Sequence, residues 1–232
     1  SSPPPSPRPV GQSLKPPSQG TNTASCRACG DAKWQIVDDG WLGKRVPCPA
    51  CFDYLHFCRL HGEELTAQLA DITGGGAMAT LRLVGETILN DSAGWFVVWG
   101  GTGTAKTKFL QALTVGFCQR KIRAVYYHAA DLCDGLYKDI KDPDSNNQEL
   151  YRNGPVLVID ELDKFRMTDW SRQELQGILD HRYRHMRTHV TLFASNKDPE
   201  GEWLPADIYS RMTDGRFRRT AGNKEIEGIF HI

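Results

Sequence analysis

The segment Trp95-Phe96-Val97-Val98-Trp99-Gly100-Gly101-Thr102-Gly103-Thr104-Ala105-Lys106-Thr107 opens with an apolar run, curls through glycines and threonines, and ends in a lysine and a threonine. The run reads as a short strand, and the periodic apolar residues beyond it predict a helix from about Ala105 to Arg120. A glycine-rich loop between strand and helix is the context of a Walker A phosphate loop. Glycines let successive N–H groups turn inward, and the helix N-terminus adds positive potential. Gly100, Gly101, Thr102, Gly103, Thr104 and Ala105 are therefore expected to cradle phosphate oxygens. Lys106 is expected to reach the outer phosphates, and Thr107 to place its hydroxyl on Mg2+. The usual pattern carries Gly where Ala105 stands. A methyl group there is tolerable if the backbone is already helical, which predicts weakened rather than lost binding. The plain structural alternative is a Gly/Thr-rich turn.

Outward from this segment the chain alternates strand and helix, the pattern of an α/β parallel sheet covered on both faces by helices. Further strands are expected at Ala124–His128, Pro155–Ile159 and Val190–Ala194, and a helix from about Ala130 to Lys138. Asp142 to Asn147 reads as polar loop. A long amphipathic helix is expected to place Leu175, Ile178, Leu179, Tyr183 and Met186 on one face. Arg172, Glu174, Asp180, Arg184 and Arg187 take the other. Upstream, Met78 to Leu89 recur at helical spacing behind a hinge at Gly74, Gly75 and Gly76.

Two strand ends carry chemistry. Val156-Leu157-Val158-Ile159 delivers Asp160 and Glu161 to a carboxyl end, where ligands bind in open α/β sheets. Behind a Walker A loop this reads as Walker B, with Asp160 holding Mg2+ through water and Glu161 polarising the attacking water. Solvated acids after a strand are the alternative. Thr191 to Asn196 ends with Asn196 where a sensor side chain could orient that water, unless it is a turn-forming Asn. Arg211 falls on a short predicted helix, either as a surface arginine or as an arginine finger reaching a neighbour's nucleotide.

Cys26-x2-Cys29 and Cys48-x2-Cys51 are separated by 18 residues, the spacing of a structural zinc site closed by four thiolates. A disulfide or redox pair is the alternative. His56, Cys58 and His61 could substitute as ligands, though a packed face explains them more simply, and Cys118 and Cys133 read as core. Lys+Arg and Asp+Glu both total 28 in 232 residues, so no whole-chain field draws the protein to a polyanion and any nucleic-acid contact must be a local patch. Candidates are Arg182, Arg184, His185 and Arg187, for which a solvated helix face is an equal alternative, with Arg216, Arg218 and Arg219. Nothing argues for a membrane or export signal, which implies a cytosolic setting. The chain begins at Ser1 rather than Met, as a processed or excised piece would. The organisation expected is a disordered tail over 1–25, a zinc module over 26–60, a linker and helix over 61–94, and an ATPase core over 95–232.

With these motifs in place the chain resembles the DnaC/DnaI-type helicase loaders and their IstB-like transposition relatives, over roughly Cys26 to Gly222. Ala130-Asp131-Leu132, Asp163-Lys164-Phe165, Asp169-Trp170, Leu179 to Tyr183 and Leu204 to Met212 add to the likeness. The resemblance implies a P-loop AAA+ ATPase that binds ATP, Mg2+, single-stranded DNA and a hexameric replicative helicase, gripping the helicase through its amino-terminal region. It strengthens the arginine-finger reading of Arg211 and implies a homo-oligomer bridged by ATP. Two departures stand out: Ala105 at the glycine position, and no clear second-sensor arginine, a role Lys224 does not clearly fill. Competing readings are a transposition helper that assembles on duplex DNA with a transposase, and a non-catalytic adaptor that holds nucleotide as a structural ligand.

Overall fold

A computed structural model describes residues 26–37, 44–91, 93–142, 145, 147–214, 219–221, 224–226 and 228–232. The expected tail over 1–25, Arg216 and Arg218 lie outside the described residues, as do the side chains of Arg219 and Lys224. The chain divides into two compact units, residues 1–52 and 53–232. Residues 53–60, placed by the sequence reading at the end of the cysteine module, thus fall in the larger unit, where Cys58 and Leu60 join its core.

In the smaller unit, β1 (Trp34–Val37) and β2 (Lys44–Pro47) form an antiparallel hairpin. The Trp34 and Phe52 rings meet edge to face with centroids 4.9 Å apart. This pair gives the small module its own apolar contact.

The larger unit begins with three short 3-10 turns between Leu55 and Asp71. Then follow α1 (Ala77–Asp91), β3 (Gly94–Trp99), α2 (Lys106–Gln119), β4 (Ala124–His128) and α3 (Ala129–Lys141). After these come α4 (Asn147–Asn153), β5 (Val156–Asp160), α5 (Asp169–Arg184), β6 (Val190–Ser195) and α6 (Ala206–Thr213). The chain closes with a small hairpin, β7 (Arg219–Ala221) and β8 (Lys224–Ile226), and with β9 (Ile229–His231). Helix α4 was not expected from its polar sequence, in which only Tyr151 is buried.

Five strands form a parallel sheet in the order β4-β5-β6-β3-β9. Alternate residues of each strand face opposite sides. Phe96, Val98, Val158 and Leu192 pack against α1 and α2, while Trp95, Val97, Leu157 and Phe193 pack against α3 to α6. Each fully buried large side chain of this kind stabilises the fold by roughly 1.5–3 kcal/mol. The edge of β4 is covered in part by the strap before α1, since Tyr126 N donates to Cys58 O at 2.9 Å. Helix α5 starts on a reciprocal cap: Thr168 Oγ1 accepts from Ser171 N at 3.2 Å, and Ser171 Oγ accepts from Thr168 N at 2.9 Å.

One expected surface residue lies inside. Arg182 is fully buried, and its guanidinium donates to Thr191 Oγ1, Tyr151 O, Arg152 O, Gly154 O and Val190 O at 2.5 to 3.3 Å. Burial lowers its pKa to about 9. It ties α4, α5 and β6 together and is not available to nucleic acid, whereas Arg184, His185 and Arg187 are exposed. Among the described residues no helix is long and apolar enough to cross a membrane.

Candidate functional site

The order of the sheet brings three strand ends to one edge. β6 lies between β3 and β5, with Trp99 paired to Ser195 and Ile159 paired to Phe193. The loop after β3, the acids after β5 and Asn196 after β6 therefore converge. They line one cavity of about 910 Å³ with Thr102 to Lys108, Asp160, Glu161, Lys164, Ser195 and Asn196 in its wall. A cavity of that size accommodates a nucleotide. Glu63, Glu64, Thr66, Ala67 and Asp71 of the preceding strap form its far side.

The phosphate loop departs from the sequence expectation at one residue. Ala105 has φ 62° and ψ 10°, the left-handed conformation, and it caps α2 rather than lying within it. The premise of an already helical backbone is corrected: a side chain in this region costs roughly 1–2 kcal/mol, and glycine avoids that cost. Gly103, with φ 77°, turns the same loop without that penalty. At Gly100 the backbone is close-packed as well, since a Cβ would come within 2.1 Å of Ile232 O.

Lys106 is only 6% exposed. Its Nζ donates to Gly100 O at 2.9 Å, Gly101 O at 2.6 Å and Thr104 Oγ1 at 3.1 Å. Burial pushes the ammonium below its ordinary pKa, opposed by the negative charge of Asp160, Asp163 and Glu161. A buried ammonium facing carboxylates through its own loop is a ready partner for a polyanion accompanied by a cation.

Asp160 is 1% exposed and both of its oxygens are engaged. Oδ2 accepts from Tyr126 Oη at 2.5 Å and Oδ1 from Glu161 N at 2.8 Å. Burial and the neighbouring Asp160 carboxylate hold the Tyr126 phenol far above its ordinary pKa, so it stays a donor. Tyr126 was absent from the sequence candidates. The available signal was its place two residues before the end of β4, on the face it shares with His128. Glu161 also has a left-handed backbone, φ 54°. Its Oε1 accepts from Lys164 Nζ at 2.5 Å and its Oε2 lies 3.7 Å from His128 Nδ1. Asn196 is placed by Asp163, whose Oδ1 accepts from Asn196 N at 2.9 Å. Thr102, Gly103, Thr104, Ala105, Lys106 and Thr107 line the cavity, whereas Gly100, Gly101 and Arg211 do not.

In the cysteine unit, Cys26, Cys29, Cys48 and Cys51 bring their Sγ atoms within 4.8 Å of one another. Cys26 and Cys48 approach to 3.8 Å, and Cys29 and Cys51 to 3.3 Å. Four sulfurs at such separations suit a single tetrahedral ion with metal–sulfur bonds of about 2.3 Å. Cys58 plays no part, being buried in the larger unit, where its thiol donates to Leu55 O at 3.0 Å. Cys118 and Cys133 are buried as expected.

The profile of the bacterial DnaA ATPase domain matches residues 76–217. Among solved structures, AMPPCP-bound DnaA from Aquifex aeolicus is 20% identical, with a TM-score of 0.61 over 75% of this chain and 51% of that one. The DnaC helicase loader is 17% identical, with a TM-score of 0.59 over 74% of this chain and 99% of that one. For DnaI the identity is 20% and the TM-score 0.58, over 66% of this chain and 89% of that one. The chain spans about half the length of the first three solved structures it matches. No curated protein sequence matches it. These structural likenesses speak to the fold, a five-stranded AAA+ sheet, while the profile speaks to descent. Because the profile match covers more than half of the chain and takes in the phosphate loop, the acidic strand end and Arg211, this chain belongs to the bacterial DnaA ATPase domain family.

Proposed function

We propose that the protein is an ATP-hydrolysing helicase loader, which delivers a hexameric replicative helicase onto single-stranded DNA. The observation that carries the ATPase reading is the single cavity in which Lys106, Asp160, Glu161 and Asn196 meet. The loader reading is supported by length: the chain covers 99% of the DnaC helicase loader and 89% of DnaI.

In this reading the N–H groups beyond Gly100, whose own N–H is taken by Ser195 O at 3.2 Å, cradle the phosphates as far as Thr107, and Lys106 exchanges its loop carbonyls for phosphate oxygens. Thr107 and Asp160 would hold Mg2+, which would supply positive charge against that developing on the γ-phosphate. Tyr126 holds the Asp160 carboxylate in place through the hydrogen bond to Oδ2. Glu161, once Lys164 releases it, accepts the proton of the attacking water, and Asn196 orients that water. Arg211 meets the nucleotide of a neighbouring copy, so hydrolysis requires assembly. Cys26, Cys29, Cys48 and Cys51 would hold a structural zinc with no open position, and residues 26–52 form the module that, with the tail over 1–25, grips the helicase. Residues 53–94 belong with the core over 95–232, to which Leu69, Ile72, Leu81 and Ile88 contribute buried side chains.

The test is co-purification with the replicative helicase of the source organism, with and without ATP, followed by transfer onto single-stranded and duplex DNA. A nucleotide-dependent complex that loads the helicase on single strands is expected. Absence of a complex in either nucleotide state contradicts the loader reading, and a preference for duplex favours the transposition helper.

A further inference from the structure

Arg211 occupies a hollow of its own, about 390 Å³, lined by Asp180, Tyr183, Arg184 and Arg211. Its Nε donates to Asp180 Oδ1 at 2.8 Å, and its Cζ stands 5.1 Å from the centre of the Tyr183 ring. Both partners come from α5, three residues apart and so on one face of the helix. A guanidinium offers a planar fork of five N–H donors. Asp180 engages the Nε–H, and among the described residues neither Nη atom has a hydrogen-bond partner. The helix that carries Arg211 is tied to α5 a second time, by Arg172 Nη2 and Asp207 Oδ1 at 3.3 Å. Helix α5 begins just beyond the acids of β5 and runs 16 residues, about 24 Å at 1.5 Å per residue. Asp180 lies near its far end, so a chain's own acids and its Arg211 sit toward opposite ends of one rod.

We propose that Asp180 and Tyr183 position Arg211, holding Nε against α5 with both Nη groups turned outward to meet the triphosphate bound by a neighbouring copy. The inference rests on the reading of Arg211 as an arginine that acts in trans. A flexible side chain with one donor pinned and its face stacked loses less freedom on meeting the phosphate than a free one does. Neutralising Asp180 leaves the charge of Arg211 in place and weakens the bond that aims it, and misplacement by about 1 Å is enough to cost on the order of a hundredfold in rate.

The experiment is complementation between full chains. Arg211→Ala protein keeps its nucleotide cavity but lacks the arginine, and Lys106→Ala protein lacks the phosphate lysine but keeps the arginine. ATP hydrolysis by the mixture, absent from either alone, reports an arginine supplied in trans. The donor is then remade as Lys106→Ala/Asp180→Asn and as Lys106→Ala/Asp180→Glu. The Asn donor is expected to rescue at least about tenfold less than its parent, and the Glu donor to recover most of the rescue. In the single variant Asp180→Asn, kcat is expected to fall while KM for ATP stays put, because Arg211 is not in the wall of its own chain's cavity. Equal rescue by the Asn donor and its parent overturns the positioning role and leaves the trans arginine standing. No rescue by the parent donor overturns the trans reading itself. If the Asn donor fails to fold, Tyr183→Leu, which removes the aromatic face and keeps an apolar side chain, carries the same comparison.

Discussion

The phosphate loop and the acidic strand end face each other across one cavity, yet they are held in different ways. Asp160 is closed in before any ligand arrives: it is buried, with one oxygen on Tyr126 and the other on Glu161 N. The loop is held by its own lysine, whose ammonium sits on the carbonyls of Gly100 and Gly101. Its Ala105 also occupies a backbone region that favours glycine. Charged phosphate oxygens make stronger partners for an ammonium than neutral carbonyls do. Nucleotide binding should therefore rearrange the loop and leave the acid where it is. Strain on the acid side is confined to Glu161, the residue that must also move away from Lys164 to act as a base.

The largest effect is expected at that residue. Glu161→Gln keeps the shape of the side chain and removes the base, so ATP turnover in a steady-state assay should fall about 10²- to 10⁴-fold with nucleotide affinity retained. Turnover at the parent rate would remove Glu161 from the mechanism and favour the adaptor reading. Next comes the preorganised side of the comparison. Tyr126→Phe leaves a buried carboxylate oxygen of Asp160 unpaired, at a cost of about 1–3 kcal/mol, visible as a lower urea midpoint at constant slope. An unchanged midpoint would mean that Asp160 is not held as described. The smallest effect is expected in the loop. Ala105→Gly relieves the left-handed backbone, less the entropy that glycine adds to the unfolded chain, and should raise stability by about 1 kcal/mol in the same experiment. A loss of stability would show that Ala105 is unstrained.

The glycine-rich loop and strands β3, β5 and β6 were legible because each couples a hydrophobic pattern to a change of period and to a polar group at the strand end. The conformation of Ala105 was not, since residue type alone does not fix φ, although the departure from glycine at that position pointed to it. Arg182 was misassigned to the surface because charge was weighed above spacing. It lies three residues after Leu179 and four after Ile178, on the stripe that continues to Met186, and the backbone carbonyls of α4 that satisfy it come from a helix the sequence did not reveal. β9 escaped notice because three residues, Ile229 to His231, carry too little pattern to separate strand from coil. The pairing of Asp180 with Arg211 joins two helices across 31 positions, which no local spacing encodes.

The account stands on triphosphate recognition by Lys106 opposite Asp160. Calorimetric titration of ATP with Mg2+ into the full chain is predicted to give saturable heat for one site per chain, abolished in Lys106→Ala. No heat with the parent protein, or equal heat with Lys106→Ala, would contradict it.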